Sequence, residues 1–301
     1  MVGAMKRETY SDRLFIAANT AFLLILLAIV LYPLIYIVSA SISDPIAVNS
    51  GEMWLWPQSI TFEGYQRVFQ NSEIWMGYRN TVIITAMGVT IHLAILLPCA
   101  YALSRSDLAG RTFIMMMFLF TMFFSGGLIP TFLVVKQLGM VNTLWALVVP
   151  NAVGVWGIIV ARTFFQMNVP KELQEASQMD GCSDFGLFFR IVLPLSAPII
   201  AVLALFNAVG HWNQYFNALI YLNNRDIFPL QLILREILVQ QQMSAQMMMQ
   251  GDDLELLAQQ ARIADIIKYA VMIVSSLPLL VAYPFVQKYF VKGVLIGSVK
   301  G

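Results

Sequence analysis

The sequence predicts an all-α integral membrane protein with about six membrane-spanning helices. Three observations predict it. Of 301 residues, 59% are hydrophobic and 12% charged, where a soluble domain carries about 25% charged residues. Apolar stretches recur at 14–38, 80–103, 112–136, 144–166, 191–222 and 269–290, each bounded by charge, Gly or Pro, and each is long enough to cross a hydrocarbon core of about 30 Å as a helix. The stretches are continuously apolar rather than alternating, so they read as helices, which satisfy their own backbone in lipid, and not as barrel strands.

The first stretch follows Lys6, Arg7 and Arg13 and runs from Leu14 to Val38. It exceeds the roughly 7–15 residues of a cleaved signal core, which makes it a retained span. Side is assigned by basic residues. With both termini in the cytoplasm, eleven of the 18 Lys and Arg fall inside, and the short loop Ser104–Arg111 carries Arg105 and Arg111 whereas Gln137–Thr143 on the opposite side has none, as the positive-inside rule requires.

Two outer segments are longer than turns: Ser41–Arg79, with Trp54, Trp56 and Trp75, and Asn223–Lys268, with the stretch QQQMSAQMMMQ. The tryptophans fit an interfacial belt or solute contact, and the methionines a packing or partner-docking surface. The sequence does not choose within either pair.

Several function classes drop out. A net charge of +1 gives no basic excess for nucleic acid. Cys99 and Cys182 are the only cysteines, which supports neither a disulfide framework nor a zinc site. There is no G-x-x-x-x-G-K-[ST], H-E-x-x-H or G-x-S-x-G, and His92 and His211 are the only histidines, so the chain is not expected to be an enzyme or to hold a cofactor or metal of its own.

The most informative stretch is NVPKELQEASQMDGCSDFGLFFRIVLPL, at about 167–194 between the fourth and fifth spans. Pro170 suits a helix start, Glu172 and Glu175 suit its positive end, and Gly181 can stop it in the left-handed region. Ser183 and Asp184 can cap a second short helix carrying Phe185, Phe188 and Phe189, after which Arg190 stands at the return to lipid and Pro194 marks the start of the fifth span.

Glu175-Ala176-Ser177, then Gly181, then Ile191-x-Leu193-Pro194 resemble the cytoplasmic EAA loop of ABC importer permeases. Ser177 stands where that family usually has a second alanine. The first outer segment, the carboxyl-terminal FVKGVLIGSVKG and FFSGGLIPTFLVVKQLGMVNTLWALVVPNAV extend the resemblance to carbohydrate-importer permeases related to the smaller permease of the maltose system, and to the LplC-like branch, some members of which serve complex or acidic oligosaccharides.

This resemblance implies a type I permease fold, with residues 1–301 as one transmembrane domain in the bacterial cytoplasmic (inner) membrane. It implies a second permease subunit, two ATP-binding subunits that hold the ATP and Mg, and an extracytoplasmic solute-binding protein that delivers an oligosaccharide, neutral in the first instance and acidic in the second. Glu175, Ala176, Ser177, Asp180 and Gly181 would form the ATPase-coupling site, with Glu175 in a charge-assisted contact. Gly293–Gly301 would either reach the ATPase interface or be a frayed tail.

Polar residues within lipid turn toward a bundle interior or a wet cavity. The fifth span concentrates them: Asn207, His211, Trp212, Asn213, Gln214, Tyr215 and Asn217 combine amides with aromatic faces, the mixture that binds sugar hydroxyls and stacks on pyranose rings. Asn151 and Trp156 in the fourth span and His92 in the second are weaker candidates. Interhelical bonding and interfacial placement explain the same residues equally well. An ion-coupled secondary transporter is the alternative function, although no paired carboxylates lie within the spans.

Overall fold

The computed structural model describes residues 9–248, 267–284 and 287. Among them the regular structure is helical, without strands. The chain forms two compact units, one from residues 1–70 with 237–275 and the other from 71–236 with 276–301.

In the first unit, α1 (Tyr10–Ser41) begins where the Asp12 carboxylate accepts the Thr9 backbone N–H at 3.0 Å, which satisfies one of the unpaired donors of a helix start. Leu23, Leu27, Leu31 and Leu34 stay exposed along it, an apolar surface that a soluble protein would have to cover. Beyond it come α2 (Pro45–Asn49), with Pro45 at its first position and Asp44 accepting from the Ile46 N–H at 2.9 Å, and α3 (Glu63–Gln70). Ala40, Val48 and Met53 form a small core there.

The second unit is organised on α4 (Ser72–Ser104), capped by Asn71, which accepts from the Glu73 N–H at 2.9 Å. It is followed by α5 (Arg111–Phe123), α6 (Leu128–Gln137), α7 (Trp145–Val148), α8 (Val155–Asn168), α9 (Lys171–Met179) and α10 (Asp184–Leu187). Next come α11 (Leu193–Leu195), α12 (Ala197–Trp212), α13 (Phe216–Tyr221) and α14 (Leu230–Met248), whose residues from 237 on belong to the first unit, and then α15 (Ile267–Pro284), which begins in the first unit and ends in the second. Helix α4 packs chiefly on α12 and α8. Its lower half, from Leu96 to Leu103, shares one core with Ile158, Ala161 and Phe165 of α8, with Leu187, Phe188 and Val192 of the α10 region, and with Leu203 of α12.

The predicted helical membrane architecture stands, but the apolar runs are not uniform rods. Among the described residues, α1, α4 and α15 are long and apolar enough to cross a membrane singly, and there are up to five spans if each of two bent pairs counts as one. The third run is α5 and α6 at 112°, broken at Phe124–Gly127, where Gly127 adopts φ +83°. The fourth divides into α7 and α8 around Pro150 and Gly154. The fifth bends by 78° between Asp184–Leu195 and Ala197–Trp212. Apolar length measures how much chain lipid will accept, whereas Gly and Pro decide where the backbone stays straight.

Pro194, expected at the start of the fifth span, lies inside a helical stretch that begins at Asp184, just after a π-helical turn at Phe188–Val192. A proline ring displaces the preceding turn and removes a donor, and the widened turn accommodates both. The bend falls at Ser196, whose N–H bonds Val192 O at 3.0 Å, next to Pro198, which has no N–H to give.

Candidate functional site

Two groups of side chains stand out in the second unit: the α9–α10 loop with the end of α4, and the polar face of α12 against α4.

In the loop, α9 starts directly after Pro170 and ends at Asp180, and Gly181 turns the chain at φ +71°, the region that glycine adopts without a Cβ clash. The Gly181 and Cys182 N–H groups return to Gln178 O and Ser177 O at 3.0 and 2.9 Å, closing the helix end. Ser183 then caps α10, accepting from the Gly186 N–H at 3.2 Å. These are the two short helices and the glycine reversal expected from the sequence.

The faces of α9 differ. Glu175, Ala176, Asp180 and Gly181 are exposed, and Met179 is 89% exposed. Ser177 is only 6% exposed, and its hydroxyl donates to Gln174 O at 2.8 Å. Serine at this position thus spends its hydroxyl on its own helix and faces inward, rather than lining the outer face with Ala176. Inside, Leu173 and Cys182 pack on the core shared by α4, α8 and α10, so the loop is seated on the bundle.

The end of α4 meets that seat. Tyr101 lies between Phe165 of α8 at 5.8 Å and Phe188 at 5.2 Å, centroid to centroid. One turn on, the Arg105 guanidinium donates to both oxygens of Asp107 at 2.9 and 2.7 Å and to Asp184 at 2.6 Å. The hydrogen bonds from Arg105 hold the Asp107 carboxyl at about 2, and those carboxylates push the Arg105 pKa up. A depressed carboxylate contributes its stabilisation above its unfolded value, near 3.8, and loses it only as pH falls through the folded one, so the pair is fully ionised at neutral pH. Sequence reasoning placed Arg105 and Arg111 by side alone. Nothing in their local spacing pointed to Asp184.

The second group is less uniform than the sequence suggested. His211 is 5% exposed, and its ring lies over Gly88 of α4. Trp212 is buried against Tyr78, with centroids 5.6 Å apart. Asn207 Oδ1, Thr85 Oγ1 and His211 Nδ1 are buried and have no hydrogen-bond partner among the described residues. Asn213 and Tyr215 face outward instead: Asn213 Oδ1 accepts from Gln231 at 3.5 Å, and the Arg235 guanidinium stands 5.5 Å from the Tyr215 ring centre. Gln214 donates to Leu147 O at 3.3 Å, and His92 Nδ1 lies 2.9 Å from Ala152 O, holding the break between α7 and α8. Asn151, in that break, and Trp156 are exposed, and Asn217 is half-buried. His211 and Trp212 thus pack on α4, Asn207 is half-buried on α12, and Asn213 and Tyr215 contact α14.

Gly88 was missed, along with Gly77, where an added Cβ would stand 2.6 Å from Ile233, and Gly157, where it would stand 2.7 Å from Leu96. Small residues let membrane helices approach closely, and Gly88 and Gly157, each inside an apolar run, are the available signal, whereas Gly77 precedes the second run.

The profile of the family described as "Binding-protein-dependent transport system inner membrane component" matches residues 74–296. The chain belongs to this family. It is a membrane-embedded permease of the ABC type, which decides between the two transport readings in favour of the ATP-driven one.

Its relatives include the polygalacturonan/rhamnogalacturonan transport system permease protein YtcP of Bacillus subtilis, 41% identical over 290 residues that make up 96% of this chain and 99% of that one. Protein LplC of the same organism is 39% identical over 98% of this chain and 97% of its own length. A chain in the crystal structure of a bacterial ABC transporter involved in the import of the acidic polysaccharide alginate superposes with a TM-score of 0.83, at 32% identity, covering 95% of this chain and all of that one. The similarity to LplC agrees with the branch expected from the sequence, and YtcP is named as a transport system permease protein.

Proposed function

We propose that this permease forms half of the translocation path for an acidic oligosaccharide, handed over by an extracytoplasmic solute-binding protein. The observation that carries this reading is that two relatives matched over nearly their whole length, at 41% and 32% identity, are named for polygalacturonan/rhamnogalacturonan and alginate transport. A neutral oligosaccharide, the first expectation from the sequence, takes second place; the arabinooligosaccharide permease AraQ of Halalkalibacterium halodurans is 27% identical.

The other half of the path is a second permease, and the ATP and Mg sit on two separate ATP-binding subunits. Both termini and the α9–α10 loop are cytoplasmic in this reading, and α9 is the element those subunits grip. Glu175 is exposed and makes no ion pair with the described residues, which leaves its carboxylate available to a basic residue across the interface. ATP-driven closure would displace α9 as a rigid body, and its seat on the α4–α8–α10 core would pass that displacement to the spans. The Gly293–Gly301 tail lies outside the described residues.

The test is uptake by the four-subunit complex in liposomes, with solute-binding protein and no ion gradient, comparing oligogalacturonides with uncharged oligosaccharides of equal length. ATP-dependent uptake of the acidic series is expected. Uptake of the neutral series alone would overturn the solute class, and uptake that follows an ion gradient without ATP would overturn the mechanism.

A further inference from the structure

We propose that Arg105 is a positioning residue for coupling: it ties the end of α4 to the joint between α9 and α10, so that movement of α9 is carried directly into α4. The proposal rests on the coupling role assigned to α9 above.

The geometry is specific. Asp184 is the first residue of α10 and lies three residues beyond Gly181, at the point where the two loop helices hinge. Arg105 reaches it from 79 residues away at 2.6 Å. The Arg105 side chain is only 13% exposed, whereas that of Asp184 is 68% exposed. The fixed partner is therefore the arginine, held by its two bonds to Asp107, and the exposed partner belongs to the loop. A planar guanidinium gripped by one carboxylate keeps its remaining N–H groups aimed, which a flexible ammonium would not do.

The backbone around Arg105 is held as well. Arg111, at the start of α5, donates to Arg105 O at 3.0 Å, and Arg162 of α8 donates to Leu103 O at 3.0 Å. Both bonds satisfy carbonyls that the end of a helix leaves unpaired. Three arginines thus gather α4, α5, α8 and α10 at one junction. The same junction borders a cleft of about 370 Å³ lined by Tyr101, Phe188, Arg105, Asp107 and Asp184 among others.

Exposed ion pairs contribute little to folding. The value of this one is directional: it fixes the angle of α10 relative to α4. Its loss should leave the protein folded and make the stroke slack.

The experiment uses the full complex in liposomes and measures solute transported per ATP hydrolysed for Asp184→Asn, Arg105→Gln, the double variant and Glu63→Gln. The last removes a comparable exposed pair, Glu63–Arg67 at 2.7 Å, elsewhere in the chain. Both single variants are expected to lower the ratio roughly three- to tenfold, with the double variant no worse than either, because contacting residues couple rather than add. Glu63→Gln should match the parent, and all variants should co-purify with the ATPase. If Arg105→Gln fails to fold, Asp184→Asn, on an exposed residue, still decides. A parental ratio in Asp184→Asn, or additive losses in the double variant, overturns the proposal. Gly181→Val in the same assay separates the two levels. If it lowers the ratio while Asp184→Asn does not, only the Arg105 link falls; if neither does, the coupling role of α9 falls with it.

Discussion

Gly88 and His211 share one space: a Cβ built on Gly88 would stand 2.2 Å from Nε2 of the His211 ring. At this point the packing of α4 on α12 depends on a missing side chain on one helix and a ring on the other. The unpartnered atoms of Thr85, Asn207 and His211 lie along the same two helices.

This contact predicts a contrast between two glycines. Gly88→Val should lower the thermal midpoint of the detergent-purified complex, because overpacking costs about 1–3 kcal/mol and exceeds the modest gain in helix propensity on replacing glycine. Gly210 is one residue from His211, yet an added Cβ there meets nothing within 4 Å. Gly210→Ala should hold the midpoint or raise it, for a stability gain of up to about 1 kcal/mol. Equal effects at both positions, read by a fluorescence melt, would show that α12 does not pack on α4 through His211.

The Gly181 turn yields a second contrast. Among the described residues beyond its chain neighbours, none comes within 4 Å of a Cβ placed there, but its φ is +71°, so any defect arises from backbone strain and not from a clash. A β-branched residue there costs about 1–3 kcal/mol, whereas asparagine tolerates the left-handed region. Gly181→Val should therefore uncouple ATP hydrolysis from uptake while membrane insertion persists, and Gly181→Asn should remain close to the parent. Normal transport by the valine variant would remove the turn from the coupling path.

The loop was the most legible part of the chain because its structure is encoded locally. A proline, a left-handed glycine and a serine cap each act on neighbours within a few residues, so Pro170, Gly181 and Ser183 announce the two helices directly. The straightness of the spans was less legible, since hydropathy registers the apolarity of the residues from Phe124 to Gly127 and from Leu193 to Pro198 and not their geometry. The contacts Arg105–Asp184 and Gly88–His211 were not legible at all. They join residues far apart in sequence, and only the packing of α4 brings their elements together. The polar cluster of the fifth span was visible as a composition, but its division into an inward set at Asn207–Trp212 and an outward set at Asn213–Tyr215 depends on where α12 ends.

Asn207 tests whether the inward set touches solute. Its Oδ1 is buried and lacks a partner among the described residues, a costly arrangement if the residue only packs. Asn207→Leu keeps the volume and removes that cost, so the melting midpoint should hold or rise. If the amide serves a passing sugar hydroxyl, uptake should nevertheless fall by about fivefold, the worth of one hydrogen bond near 1 kcal/mol. Unchanged uptake together with a raised midpoint would assign Asn207 to helix packing alone.

The outward set bears on solute charge. Arg235 stands over the Tyr215 ring at 5.5 Å, on an exposed surface that also presents Asn213 and Gln231 at 3.5 Å from each other. An aromatic face offers stacking to a pyranose ring, and a guanidinium offers two parallel bonds to a uronate carboxylate. Arg235→Ala should then lower uptake of an acidic oligosaccharide by up to about tenfold, a charge-assisted bond discounted for its exposure, and leave a neutral one of the same length unaffected. Arg235→Lys should fall between, since an ammonium keeps the charge and loses the fork. High salt should narrow the gap between Arg235 and alanine, because exposed charges are screened within about 8 Å at physiological ionic strength. If the alanine variant slowed both solutes equally, the residue would belong to the stability of the α13–α14 corner and the charge preference would have to lie elsewhere.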